Sequence, residues 1–517
     1  MGTVLVAGTG SDVGKSVIVA GLCRMLARQG VSVAPFKAQN MSLNSYVTRR
    51  HEEISRAQAV QAWAARVEPE AAMNPILLKP GSDTRSQLIV MGHSVGERRA
   101  DEYWGGEWLL DTVVESHRGL RRRFDVVVCE GAGSPAEINL RADDIVNMGF
   151  ARAVHAPTIL VGDIDRGGVF ASLVGTLALL SPDDQALVAG FIVNKFRGDR
   201  RLLEPGLDVF RELTGRPTYG VLPYVHGVAL DAEDAIEPAT YLDSVEPRGP
   251  DVLRVHVVAF PRMSNHTDLD ALAAEPGVVV RFVWTARELA DADLVVLPGT
   301  RATVDDLAWL RDRGFDDALR RRAAAGLPVL GVCGGYQMLG TLIEDGVESG
   351  AGGVAGLGVL PVRTLFRAEK TLGRPRHRLA DGTVVEGYEI HHGVVTRDGG
   401  APFVAGEGCR VGAVAGTVCH GLFENDRFRR AYLSEVAHAA GRQFTVASDT
   451  AFAAIREARI DRLADLVAEH LDTVAVRRLL DGGSGRERPV LSLIKSNGGG
   501  SHSPGAGRAS RRSTLLG

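Results

Sequence analysis

Lysine is scarce in this chain. Lysine and arginine together number 59, yet the lysines are only Lys15, Lys37, Lys79, Lys195, Lys370 and Lys495. A sequence so biased toward arginine keeps lysine where a planar guanidinium is too bulky, and a phosphate cradle is such a place. Lys15, Lys37 and Lys195 each fall in a segment of nucleotide-site character, whereas Lys370 and Lys495 carry no such signal. Cysteine is sparse as well. Five residues (Cys23, Cys129, Cys333, Cys409, Cys419) are an odd number without regular spacing; this excludes a disulfide framework and points to a reduced, cytoplasmic setting. The net charge of −4 lacks the basic excess of a polyanion binder, so nucleic acid is not expected as a partner. No apolar run reaches the length of a membrane span. The N-terminal Met1-Gly2-Thr3-Val4-Leu5-Val6-Ala7 has no basic leader region and reads as a first buried strand.

At 517 residues the chain is too long for one core, and two or three domains are expected. Residues 1–235 alternate short apolar runs with helical stretches, the pattern of a parallel α/β sheet. Val4–Ala7, Val31–Ala34, Asp125–Cys129, Thr158–Val161 and Ala189–Val193 are its candidate strands. An acidic, proline-containing stretch from Asp231 to Asp251 reads as a linker. A second α/β pattern, with strands in Val252–Phe260, Leu294–Leu297 and Val329–Val332, occupies 251–440. Helical periodicity over Phe444–Leu480 predicts a closing extension at 441–480. Glycine, serine and arginine dominate 481–517, which predicts a disordered tail.

The stretch Gly8-Thr9-Gly10-Ser11-Asp12-Val13-Gly14-Lys15-Ser16 follows a strand and opens a helix through Arg28, the layout of a P-loop. Backbone N–H groups around Gly10, Asp12 and Gly14 bind phosphate oxygens, Lys15 reaches the terminal phosphates, and the Ser16 hydroxyl ligates Mg²⁺. Thr9 stands where the strict pattern has glycine. A second strand ends in Glu130-Gly131-Ala132-Gly133, placing an acid at the sheet edge where a further metal contact belongs. Asn194-Lys195 closes a later strand; it has the look of a base-reading pair and equally of a plain turn. Asp163, Asp165 and Arg166 share that edge, where Arg166 could grip a substrate carboxylate bidentately or sit in an ion pair bracing the Gly167-Gly168 turn.

Cys333 lies between the buried run Val329–Val332 and a predicted helix at Tyr336–Leu342, flanked by Gly331, Gly334 and Gly335. A nucleophile on a strand-to-helix elbow needs such small neighbours, and a helix start favours a thiolate. The N–H groups of Gly334 and Gly299 could stabilise an oxyanion. His420, in Gly416-Thr417-Val418-Cys419-His420-Gly421, is the candidate base. Gly387-Tyr388-Glu389-Ile390-His391 could line a pocket for glutamine or form a plain strand.

The loop, Asp12, Lys37 in Pro35-Phe36-Lys37 and Glu130-Gly131-Ala132-Gly133 together resemble the dethiobiotin-synthetase-like branch of P-loop enzymes. That resemblance implies ATP-driven phosphorylation of a carboxyl group, with Glu130 on Mg²⁺ and Lys37 on the moving phosphate. The second half resembles the class I glutamine amidotransferases. Such enzymes often carry a Glu two residues after the histidine, where this chain has Leu422; Glu424 or no acid at all are both open as the third member. With both halves in this order, the chain is similar to the cobyric acid synthase family. The marks are Phe36-Lys37-Ala38-Gln39-Asn40-Met41-Ser42-Leu43-Asn44-Ser45, Asn74-Pro75-Ile76-Leu77-Leu78-Lys79-Pro80, Glu130–Glu137 and Gly162–Phe170. The resemblance implies a corrinoid substrate, L-glutamine as nitrogen donor, and ATP with Mg²⁺. The sister cobyrinic acid a,c-diamide synthases share both domains, and another P-loop amidoligase acting on a different carboxylate fits the same chemistry. A partition-type ATPase switch would carry a second lysine at the position of Gly10.

Overall fold

The computed structural model describes residues 2–82, 84–99, 106–225, 246–482 and 488–491. Most of the expected linker, and the tail beyond 482 apart from 488–491, lie outside the described residues.

Six parallel strands form the first sheet, in the order Thr218–Pro223, Val188–Phe196, Thr158–Asp163, Gly2–Gly8, Val126–Glu130 and Val33–Phe36. Their near-continuous apolar runs follow from burial on both faces: Val4, Val6 and Val128 enter one core cluster, and Leu5, Ala7 and Val127 enter the other. The five predicted strands sit where expected to within a few residues. The strand expected at Val31–Ala34 starts at Val33 and runs through Pro35 to Phe36. Proline is tolerated there because this strand is at the sheet edge. The carboxyl ends of these strands deliver Gly8, Glu130, Asp163 and Asn194 to one edge.

Two of the sequence runs prove to be neighbours. Gln39–Met41 and Ile76–Pro80 pair in parallel within a four-stranded sheet completed by Arg85–Val90 and His93–Arg99. Gln39–Met41 is three polar-to-mixed residues and Ile76–Pro80 ends in Lys79-Pro80, so no period marked either as a strand in the sequence.

The second half is built on the order Val278–Val283, Leu253–Val258, Leu294–Leu297, Val329–Val332, Val414–Thr417 and Cys409–Val411, parallel except for the last strand. A further five-stranded sheet carries Val362–Gly373, Tyr388–Arg397 and Cys419–His420. The two halves meet over Tyr46, Val47 and Ile54 on one side and Tyr388 and Ile390 on the other.

The helices Phe452–His470 and Thr473–Leu480 cross back to cover the first half. Ile460, Leu463 and Val467 join the cluster of Ile18, Val19 and Leu22 from the P-loop helix Lys15–Arg28. Arg24, buried at this contact, reaches Glu457 at 2.7 Å and Asp461 at 3.3 Å. Of the final segment, Pro489 and Leu491 lie against Arg216 and Gln185, with bonds of 3.0 and 2.8 Å. The docking of the long helix is close: a Cβ on Gly21 would lie 2.6 Å from Val467 Cγ2 and 2.7 Å from the Leu463 carbonyl oxygen. Gly21→Val therefore lowers stability by about 1–3 kcal/mol through overpacking, read as a lower urea midpoint. An unchanged midpoint would show that the helix is not seated there.

Candidate functional site

The P-loop centre is organised by one buried carboxylate. Glu130 Oε1 accepts hydrogen bonds from Ser16 Oγ at 2.8 Å and Lys37 Nζ at 2.7 Å, and Oε2 accepts from Gln61 Nε2. Burial would push the Glu130 carboxyl up, but Lys37, Gln61 and Lys15 hold it below the usual carboxylate range. Lys15 Nζ is folded onto the loop, 2.7 Å from the Gly10 carbonyl and 3.4 Å from that of Gly133.

Asn194 braces the loop, its amide donating to the Val13 carbonyl at 2.9 Å beside Gly14. Lys195 Nζ donates to the Asp12 carbonyl at 2.6 Å and pairs with Asp163 at 2.9 Å. Asp165 pairs with Arg197 at 2.8 Å. The ion pairs at this turn thus use Lys195 and Arg197, while Arg166 stands exposed at its tip. The Ser16 hydroxyl and the Glu130 carboxylate are hard oxygen donors side by side. Such a pair suits Mg²⁺ when phosphates supply the remaining ligands.

The cysteine centre begins with strained backbone. Cys333 has φ of 50° and ψ of −110°, a conformation that costs a non-glycine residue about 1–3 kcal/mol. Its N–H donates to the Thr417 carbonyl at 2.7 Å, and its own carbonyl accepts from Gln337 N at 3.0 Å. A Cβ on Gly335 would lie 2.1 Å from the Leu297 carbonyl, so glycine is what lets the helix Gly334–Leu339 start against the neighbouring strand. Gly334 opens that helix. Gly299 pairs with Ser264 and packs on the His420 ring.

His420 is buried, and its ring stacks on Tyr388 at 5.3 Å. Its Nδ1 bonds Asp268 Oδ2 at 2.7 Å, while Asp268 Oδ1 accepts from Gly421 N at 2.7 Å. Burial would lower the histidine's proton affinity, but Asp268 outweighs it and, with a hydrogen bond to Cys333, raises the pKa from 6.5 to about 10. The acid that meets His420 is thus Asp268, where the sequence left Glu424 or no acid open. After His420 the chain turns through Gly421 into the short helix Leu422–Glu424, which carries Glu424 away to Arg56 and Arg456, each at 2.8 Å. Asp268 lies 152 residues before the histidine, with no motif spacing to betray it. The only local signal is the irregular stretch Ser264-Asn265-His266-Thr267-Asp268 after a strand.

The seam between the halves holds a third charged group that the sequence reading missed. Buried Glu53 accepts from Lys79 at 2.9 Å and from Lys370 at 2.6 Å. Burial would raise Glu53, but the two lysines lower it to about 2. Lys370 is itself lowered to about 8, by burial against the pull of Glu53. Lys370, without signal in the sequence, is thus a structural cation whose partner lies 317 residues away.

Residues 4–237 match the family described as the CobQ/CobB/MinD/ParA nucleotide binding domain, and residues 254–428 match the CobB/CobQ-like glutamine amidotransferase domain. Proteins named cobyric acid synthase from Streptomyces avermitilis and Streptomyces coelicolor are 63% and 62% identical over 497 residues, covering 95% of this chain and 98% of each relative. The Frankia casuarinae protein of that name is 58% identical over 516 residues, covering 95% of this chain and 99% of its own.

Asp268→Asn should lower glutamine hydrolysis by about 10²–10⁴-fold, because the acid sets the tautomer and charge of the histidine. The same change tests the ion pair by stability. The folded histidine titrates near 10 and an unperturbed one near 6.5. The pair's contribution is thus complete below pH about 6.5 and lost as pH rises through about 10. The gap in denaturation midpoint between wild type and Asp268→Asn should be widest near pH 6 and close toward pH 10. A gap constant over that range would contradict a charged pair.

Proposed function

The chain belongs to the cobyric acid synthase family, and on that premise we propose that it amidates the b, d, e and g carboxylates of adenosylcobyrinic acid a,c-diamide to give adenosylcobyric acid. The observation that carries this reading is the presence in one chain of a phosphate cradle with a desolvated acid and a Cys333–His420–Asp268 array. We assign residues 1–235 to ATP-dependent synthesis, 251–440 to glutamine hydrolysis and 441–480 to a closing extension. All five cysteines are unpaired, which supports the reduced cytoplasm as its setting.

A carboxylate resists ammonia because its leaving group would be oxide. Transfer of the ATP γ-phosphoryl group to the carboxylate oxygen releases ADP and makes phosphate the leaving group. Lys15 and Lys37 offset the charge that develops on the moving phosphoryl oxygens. Ser16 and Glu130 would hold Mg²⁺, which, when bound, neutralises phosphate charge. Asp12, Gly10, Gly14 and Asn194 fix the loop that carries these groups. Arg166 is exposed at the same sheet edge as Asp163 and Asp165, which supports its reading as the group that meets a substrate carboxylate.

At the second centre, His420 is held protonated by Asp268 beside Cys333, and Cys333 attacks the glutamine side-chain amide as the thiolate. The N–H groups of Gly334 and Gly299 receive the oxyanion. His420 gives its proton to the departing ammonia and, now neutral, takes one from the water that cleaves the thioester to glutamate.

Lys15→Ala should lower amide synthesis by at least about 100-fold with either glutamine or ammonium salts as nitrogen source; synthesis preserved with ammonium would show that the loop is not the phosphate site. Cys333→Ala should abolish synthesis from glutamine but keep synthesis from ammonium, rising with pH as the unprotonated amine accumulates. Mass spectrometry of the corrinoid reads both. A Cys333→Ala enzyme that used glutamine normally would remove the cysteine from the reaction. Steady-state kinetics of Arg166→Ala should show a raised corrinoid KM, and unchanged constants would take Arg166 out of the site.

A further inference from the structure

A second cavity, of about 300 Å³, lies where the nucleotide half, the glutaminase half and the helical extension meet. It shares no lining residue with the pocket in front of Cys333. The helix Arg56–Ala64 walls it with Arg56 and Trp63, the strand Tyr388–Arg397 with Tyr388, and the helix Phe452–His470 with Arg456.

Positive charge is in excess there. Arg49, Arg56, Arg374 and Arg456 face Glu68, Glu386 and Glu424 across the cavity, and all three acids are already paired. Arg49 meets Glu68 at 3.2 Å, and Arg376, outside the lining, meets Glu386 at 2.9 Å. Arg56 and Arg456 each hold one oxygen of Glu424 at 2.8 Å. Arg374 is left over. It donates one N–H to the Tyr46 hydroxyl at 2.7 Å and rests 5.3 Å from the centre of that ring. Among the described residues no carboxylate pairs with it. A guanidinium carries five donors in a fork that suits carboxylate and phosphate.

A second donor at the same wall is also unmet. Tyr388 packs on Tyr46 with ring centres 5.6 Å apart, so Tyr46 has Arg374 and Tyr388 as neighbours. Tyr388 is 4% exposed, and its hydroxyl has no hydrogen-bond partner. Buried polar groups are seldom left so. Burial pushes the phenol well up, so it keeps a proton to donate.

We propose that this cavity binds a small oxyanion, a carboxylate or a phosphate, through Arg374 and the Tyr388 hydroxyl. The site is separate from the P-loop and from the Cys333 pocket, and it stands whether or not Cys333 is a glutaminase nucleophile. Its volume is at the lower limit of ligand pockets, with room for phosphate or a short dicarboxylate and none for a corrin macrocycle. An occupant would touch the wall formed by Gly421, next to His420, and by Tyr388, whose ring stacks on His420.

Isothermal titration calorimetry of the full-length protein tests this with inorganic phosphate and with glutarate, the P-loop being filled beforehand with Mg²⁺ and adenylyl imidodiphosphate. Wild type should bind at least one of the two probes with a Kd of about 1 mM or tighter; the tighter probe tells phosphate from carboxylate as the ligand. Arg374→Gln should weaken that binding by about 10-fold or more, and Tyr388→Phe by about 3-fold or more. Without anion, Tyr388→Phe should keep or raise the thermal midpoint, because it removes a buried hydroxyl that bonds nothing. Weaker binding by that variant is then a lost contact and not a lost fold. The proposal is overturned if wild type shows no saturable binding of either probe up to about 10 mM, or if both variants, folded, bind as tightly as wild type.

Discussion

A carboxylate taken out of water costs several kcal/mol unless its oxygens are met by charge and hydrogen bonds, and Glu130 is removed from solvent entirely on the sheet edge beside the P-loop. Its two oxygens are met by Ser16 from the P-loop helix, Lys37 from the end of the edge strand, and Gln61 from the helix Arg56–Ala64. The acid therefore ties together three segments far apart in sequence, and each must be in place before its charge is tolerable. An ion with affinity for oxygen, or the phosphates of a nucleotide, would enter a cradle already arranged around negative charge.

The same helix extends the constraint to the other half. It presents Gln61 to Glu130 and, from its first residue, Arg56 to Glu424, four positions after His420. Arg56 also lies over the Trp63 ring at 4.9 Å, which holds the guanidinium at the seam. A second tie is Glu53 with Lys79 and Lys370, one lysine from each half. Breaking either buried cluster by removing one member would strand an uncompensated charge. The two halves are thus bound by electrostatic necessity as well as by the apolar patch around Tyr46 and Tyr388. A glutamine-dependent amidotransferase of this family has both chemistries in one chain, and the seam gives them a shared frame.

Much of this was legible in the sequence wherever the determinant was local. Buried parallel strands write themselves as apolar runs, so Leu294–Leu297 and Val329–Val332 could be read to the residue. The P-loop and the Cys333 elbow are legible because their glycines are demanded by adjacent backbone. What could not be read was set by partners distant in the chain. Asp268 is an ordinary acid until the fold lays it on His420, and Glu424 is nearer in sequence but is turned away toward two arginines. Lys370 looked incidental because its reason, Glu53, belongs to the other half. The strands Gln39–Met41 and Ile76–Pro80 escaped because they are held by pairing with each other and, for Ile76–Pro80, with Arg85–Val90, not by a period of their own. The helical extension was visible as helix, but its seat on the P-loop helix depends on complementarity at Gly21 that no pattern announces.

The central claim is that nitrogen freed at the Cys333 centre is joined to a corrinoid carboxylate at the Glu130 centre at the expense of ATP. Its most direct test is mass spectrometry of the corrinoid product formed from glutamine labelled with ¹⁵N in the side-chain amide, in the presence of excess unlabelled ammonium. The account predicts ATP-dependent product carrying one ¹⁵N at each newly formed amide, with little dilution by the ammonium pool. Product labelled only in proportion to bulk ammonium, or formed equally well without ATP, would contradict it.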